Sequence, residues 1–241
     1  MQVNVERLAL ARASVKASTR RRYDASARQA SARKTRRRIL AVARRLFLKH
    51  GYAATTMAMI AEAAEVSIET IYLSVGGKPS LVRYLIETAL SGADEPVPPL
   101  EREGVAEIRA LADPRRKLEM FARMVHLLLE RLAPIWQVVL EAAPTDAELR
   151  SLVVELKQRH VGSMRSVIED LAEVARLRPE ISNEIAADVL WAMNSPEFYS
   201  LLVAGRGWSG ERFETWLADA WQQLFLDGDN NSSKRLNLED I

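Results

Sequence analysis

Residues 38–81 read RILAVARRLFLKHGYAATTMAMIAEAAEVSIETIYLSVGGKPSL, and this stretch decides how the rest of the chain is understood. Ile39, Leu40, Ala43, Leu46 and Phe47 recur at helical spacing and form one apolar stripe. Gly51 follows where a helix-ending glycine stands, with Lys49 and His50 in the last turn. A second short helix is predicted over residues 56–64, with Ile60, Ala61 and Ala64 facing inward. Ser67 is a good N-cap for a third, with Glu69 and Thr70 in its first turn and Ile71 on its apolar side. Gly76 and Gly77 end that helix, and Lys78-Pro79 opens a fourth that buries Leu81, Leu85, Ile86 and Ala89. Two short helices joined by a tight turn are the signature of a helix-turn-helix unit. The second of them, residues 67–74, suits the major groove of DNA, which at about 12 Å wide admits one helix. Its outward positions are Ile68, Glu69, Thr70 and Leu73, with Tyr72 turned toward the phosphates.

Working outward, residues 1–38 carry twelve basic side chains against Glu6 and Asp24, a net of +10. Residues 39–92 are nearly balanced, and residues 93–241 hold seventeen basic against twenty-six acidic side chains, a net of −9. The overall charge of +2 therefore conceals a basic head on an acidic body, and the basic end calls for an anionic partner. Residues 1–34 are Ala-, Ser- and Arg-rich with few large apolar groups, and the expectation is a disordered basic arm. An organelle transit peptide is the competing reading of that segment. Arginines ahead of a DNA reader add minor-groove or phosphate contacts, which makes Arg36 and Arg37 candidate DNA-binding residues.

The Pro- and acid-rich segment SGADEPVPP, residues 91–99, marks a boundary between a reader at 35–92 and a helical body at 93–226. In the body, helical stripes run from Leu118 to Leu132 ahead of Pro134, from Leu149 to about Leu177, and from Ile185 to Met193. Phe213, Trp216, Ala220, Trp221 and Leu224 form another. Residues 227–241 are polar and expected to be disordered. The fold class is all-α. The faces bearing Ile185, Val189 and Met193, and Phe213, Trp216, Ala220, Trp221 and Leu224, are candidate dimer contacts, because one helix pair cannot leave so much apolar surface in water. Large or polar-tipped groups in the apolar helices are candidate pocket residues: Phe121, Met124, His126, Trp136, His160, Met164, Trp191 and Tyr199.

Several function classes are excluded. There is no cysteine, hence no disulfide scaffold, thiolate metal site or thiol nucleophile. His50, His126 and His160 are scattered, so no metal or other cofactor is expected. The run SVGGKP at 74–79 lacks the spacing of a phosphate-gripping loop, and no catalytic triad or carboxylate pair stands out, so an enzyme is not expected. No apolar run reaches the length of about 18 residues that spans a bilayer, and a membrane partner is not expected either.

Residues 38–81 resemble the DNA-binding domain of TetR-type transcriptional regulators. The resemblance rests on Ile39, Leu40, Ala43, Leu46, Phe47, Gly51, Tyr52, Thr55, Thr56, Ile60, Ala61, Ala64, Val66, Ser67, Thr70, Tyr72, Lys78 and Leu81 at matching spacing. It departs at Glu65, where a turn glycine is usual, and at Val75, where an aromatic is common. The resemblance implies phosphate contacts from Thr56, Tyr72 and Lys78, and groove-facing positions at Ser67, Ile68, Glu69 and Thr70; Thr55 completes the candidate set. It further implies a cytoplasmic homodimer on a palindromic operator, most often a repressor, released by a small-molecule effector. The alternative is a dimeric DNA-binding protein that senses nothing.

Overall fold

A computed structural model describes residues 3–227, with side chains from residue 29 onward. Among the described residues the fold is all-α, as the spacing predicts. Its helices are α1 (Val3–Ala54), α2 (Met57–Ala63), α3 (Ile68–Ser74), α4 (Lys78–Ser91), α5 (Val105–Ala110), α6 (Pro114–Ala142), α7 (Ala147–Val174), α8 (Asn183–Met193), α9 (Pro196–Arg206) and α10 (Gly210–Phe225). Extended pairing among these residues is limited to one antiparallel bridge, Leu177 with Leu226, which ties the end of α7 to the end of α10.

The capping chemistry in the sequence explains most of these boundaries. Thr56 Oγ1 accepts from the Met59 N–H to start α2, and Ser67 Oγ accepts from the Thr70 N–H to start α3. Asp113, Asp146, Ser182, Ser195 and Ser209 cap α6 to α10 in the same way. Gly51 (φ 78°) breaks the helical path of α1 before Ala54. Glu65 holds a left-handed backbone (φ 52°) in the turn between α2 and α3, the strain its departure from glycine predicts.

Four expectations are corrected. A helix, not a disordered arm, begins at Val3. No Gly or Pro occurs before Gly51, and Ala, Arg, Lys and Gln are strong helix formers, so intrinsic propensity favours the helix. Residues 29–34 are exposed throughout. The tail at 228–241 lies outside the described residues. Second, α6 does not stop at Pro134 but carries it internally. The ring removes one ladder donor and displaces the preceding turn; Arg44 Nη2 reaches across from α1 and donates to the Arg131 carbonyl at 3.3 Å. Third, α7 ends at Val174 rather than near Leu177. Fourth, a helix that no apolar stripe announces, α9, opens at the N-cap Ser195 and first-turn Pro196.

Packing does not follow the chain boundary at 91–99. Ile39, Phe47, Ile60, Ile71 and Leu81 are buried with Leu132, Ile135, Val139, Leu149 and Leu152 of α6 and α7 in one continuous core. A second core joins the other half of α6 to α7, α8, α9 and α10. Each large apolar side chain so buried contributes roughly 1.5–3 kcal/mol. Helix α6 thus runs through both cores and couples the reader rigidly to the body. Two ion pairs reinforce the junction between α4 and α7: Arg83 grips Glu155 bidentately at 2.8 and 2.7 Å, and Arg159 meets Glu87 at 2.8 Å.

Candidate nucleic-acid interface and enclosed cavity

Helix α3 presents Ser67, Ile68, Glu69, Tyr72 and Leu73 to solvent, while Ile71 is fully buried beneath it. Tyr72 is 55% exposed and Leu73 89% exposed, a combination with no folding advantage on a helix this short. Thr70 is half-buried, its hydroxyl 3.1 Å from that of Ser67. The Glu69 carboxyl is held below its usual range by its own backbone N–H and then by Ser67, so it is charged at neutral pH. A fixed carboxylate on this face can accept from cytosine N4 and repels phosphates. Thr56 is exposed at the start of α2. Leu73 is the residue that the candidate set omits; its outward placement was visible in the helical spacing, but its apolar character gave no binding signal.

Four candidate DNA contacts have partners within the protein. Thr55 is fully buried and donates to the Gly51 carbonyl at 2.8 Å and the Leu46 carbonyl at 3.2 Å, clamping the turn after α1. Arg36 is not free: Nε donates to the Ser74 carbonyl at the end of α3 (3.1 Å) and Nη1 to the Tyr84 hydroxyl (3.2 Å), with Glu95 at 3.8 Å. It therefore positions the recognition helix. Arg37 lies 2.6 Å from Asp94, but both side chains are largely exposed, and such a pair exchanges readily with a phosphate. Lys78 stands 4.1 Å over the Tyr52 ring with Nζ 3.5 Å from the Ala53 carbonyl. Burial pushes its ammonium down and Asp146 partly offsets this. Tyr52 in turn donates to Asp146 Oδ2 at 3.1 Å, so the N-cap residue of α7 touches the support of a candidate phosphate contact.

In the body a cavity of about 680 Å³ opens between α6 and α7, walled also by α4, α5, the end of α8 and the start of α9. Phe121, Met124, Trp136, His160, Met164 and Trp191 line it together. His126 and Tyr199 do not: they stack at 6.4 Å on the α9–α10 side, with His126 Nδ1 2.9 Å from Glu214 Oε2 and its ring against Gly210, where a Cβ has no room. His160, packed against Trp191 at 6.2 Å, is held neutral by burial, its pKa lowered to about 4 against the pull of Glu197. At the far end Lys117, only 4% exposed, donates to Asp170 Oδ2 at 2.7 Å and to the Arg109 carbonyl at 3.1 Å.

The candidate dimer residues divide. Phe213, Ala220 and Trp221 are buried within the protomer, Trp221 against Phe121 at 5.2 Å, because the strongest face of an amphipathic helix goes to its own core first. Ile185 (53% exposed) and Leu224 remain on the surface, Val189, Met193 and Trp216 are half-buried, and Leu201 (67% exposed) joins them from α9.

Residues 39–85 match the family model for bacterial regulatory proteins of the tetR family. No curated protein sequence matches the chain. Among solved structures, NalD of Pseudomonas aeruginosa, the secondary repressor of the MexAB-OprM multidrug efflux pump, superposes with a TM-score of 0.64 at 24% identity, covering 81% of this chain and 98% of that one. A transcriptional regulator from Saccharomonospora viridis in complex with choline gives 0.61 at 21% identity, covering 81% and 99%. SmeT in complex with triclosan gives 0.56 at 18%, covering 81% and 93%. Residues 39–85 thus match the reading domain of tetR-family regulators, and the chain as a whole shares the fold of these solved structures.

Proposed function

We propose that the chain is a TetR-type, ligand-responsive repressor that binds a palindromic operator as a homodimer. The observation that carries the reading is the course of α4. It starts at Lys78, capped by Gly77 shortly after the recognition helix, and ends with Ile86, Leu90 and Ser91 in the wall of the cavity. An occupant that moves the C-terminal half of α4 moves the seat of α3. The Arg83–Glu155 and Arg159–Glu87 pairs and the Tyr52–Asp146 hydrogen bond tie the same motion to α7. Effector binding then favours a body conformation in which the two reading helices no longer match successive grooves.

A two-fold dimer suits this task, since it spaces two recognition helices about 34–36 Å apart, one turn of DNA. The exposed apolar residues Ile185, Leu201 and Leu224 supply surface for such a contact. On each half-site, Ser67, Ile68, Glu69, Thr70 and Leu73 face the groove while Thr56, Tyr72 and Lys78 meet phosphates. The basic N-terminal helix adds sequence-independent attraction, and its removal weakens binding and flattens the salt dependence. The cavity favours a sensor over a dimer that senses nothing, because apolar protein interiors close up around space that serves no ligand. The test is selection of bound sequences from random DNA, then a screen for small molecules that release the complex. Enrichment of a two-fold symmetric site is the expected result; enrichment of none refutes the specific reader.

A further inference from the structure

The body is acidic as a whole, yet the cavity wall is not. Six cationic side chains reach it (Arg102, Arg109, Lys117, Arg131, Lys157 and Arg159) against Glu103, Asp170 and Glu197. Most of the cations are compensated. Lys117 and Arg109 share Asp170 at 2.7 and 3.6 Å, Lys157 meets Glu197 at 3.1 Å, and Arg159 meets Glu87 at 2.8 Å. Arg102 and Arg131 have no carboxylate within ion-pair distance among the described residues; Glu87 and Glu130 act on them only from further away.

Both arginines are anchored in the same manner. Arg102 Nε donates to the Val97 carbonyl at 3.2 Å, and Arg131 Nε donates to the Ala89 carbonyl at 3.2 Å. Each bond fixes one edge of a guanidinium and leaves its terminal N–H groups for another acceptor. The anchors place Arg131 at the C-terminal end of α4, against Gly92, and Arg102 on the segment that follows that helix. Burial lowers the pKa of both, which records the cost of holding two uncompensated cations there. One further donor lacks a partner: the indole N–H of Trp191 is buried with no acceptor within hydrogen-bond distance, whereas that of Trp136 is directed at Glu197. The remainder of the wall is mostly apolar, with Ser163, Ser166, Asn194 and Ser195 among its polar exceptions, and it is long. Its lining positions on α7 run from Leu156 to Leu171, roughly 22 Å at 1.5 Å per residue.

We infer that the cavity takes an elongated amphipathic monoanion, an apolar chain ending in a carboxylate, with the carboxylate on Arg102 and Arg131 and the chain between α6 and α7. A carboxylate supplies both acceptors that a guanidinium fork matches and compensates the desolvated charge. The salt bridge of Lys117 with Asp170 closes the far end, so the head sits at the α4 end and touches the helix that carries the signal. This inference rests on the cavity being the effector site and specifies its ligand.

The test is calorimetric titration of the full chain with decanoate, decanol and decyltrimethylammonium, three probes of equal chain length and different head charge. Decanoate is expected to bind at least about tenfold more tightly than the cationic probe. The double substitution Arg102→Gln, Arg131→Gln is expected to weaken decanoate about tenfold and leave decanol within about twofold. Equal binding of the three probes, preference for the cation, or no decanoate binding overturns the inference. Should the double variant not fold, the comparison of probes on the unaltered chain still decides. Operator release, measured separately, distinguishes the two readings. Decanoate that binds with this preference but leaves DNA affinity unchanged supports the ligand class and counts against the sensor. A neutral or cationic releaser with no decanoate binding does the reverse.

Discussion

Replacing Lys117 with Met separates what the buried ion pair contributes from what its absence exposes. Lys117 is almost wholly enclosed, 2.7 Å from Asp170, and its ammonium also donates to the Arg109 carbonyl. Met keeps the length and apolar stem but leaves Asp170 with Arg109 alone, at 3.6 Å and largely exposed. Breaking a buried pair from one side costs about 3–5 kcal/mol because the other charge is stranded. The remaining arginine and the partial exposure of Asp170 place this case near the lower bound, about 3 kcal/mol. For a chain of this size each kcal/mol moves Tm by roughly 2–4 °C, so a fall of about 6–12 °C is expected in a circular-dichroism melt. The double change Lys117→Met, Asp170→Leu removes the stranded charge along with the pair, and most of the lost Tm returns. A single substitution that lowers Tm by less than about 2 °C refutes the reasoning. So does a double variant no more stable than the single one.

Three other outcomes follow from particular contacts. Arg36→Met removes two part-buried hydrogen bonds that seat α3 and is expected to weaken operator binding about five- to tenfold with an unchanged salt slope; a slope reduced by about one unit in anisotropy titrations instead makes Arg36 a phosphate contact. Glu65→Gly relieves a left-handed backbone at a side chain whose one ion pair among the described residues, with Arg38 at 3.8 Å, is exposed. It should stabilise the fold by about 0.5–1 kcal/mol, and a Tm that does not rise shows the turn to be unstrained. His160 has a folded pKa of about 4 against 6.5 in a model peptide, so the unfolded chain binds its proton first. Its contribution is complete above pH 6.5 and is lost as pH falls through that window toward 4, by at most about 3 kcal/mol. His160→Gln should therefore flatten the urea-denaturation stability profile between pH 6.5 and 4, and parallel profiles for the two proteins contradict the assignment.

Much of the reader was legible because its determinants are local. Thr56 and Ser67 as caps, Gly51 and Gly76–Gly77 as stops, and the stripe from Ile39 to Phe47 each act within one or two turns. Position-specific roles were less legible. Thr55 and Arg36 carry the chemistry of DNA contacts, and nothing along the chain says that Gly51, Leu46 and Ser74 carbonyls claim them first. In the body, an aromatic or histidine at an apolar position reads alike whether it faces a cavity, as Trp136 and His160 do, or a neighbouring helix, as Tyr199 and His126 do. Helix rotation of a few tens of degrees decides between them.

The order of charge along the chain, the helix-turn-helix and the all-α class were determined by the sequence alone, since residue type, spacing and capping suffice for each. Only the tertiary structure decided that α6 passes through Pro134 and joins both cores, that Phe213, Ala220 and Trp221 are internal, and that an acidic body holds a cavity with two arginines unpaired among the described residues. Such facts depend on which residues distant in the chain meet. Arg44 reaches the Arg131 carbonyl across 87 positions, and Lys117 finds Asp170 across 53, separations that no local pattern encodes.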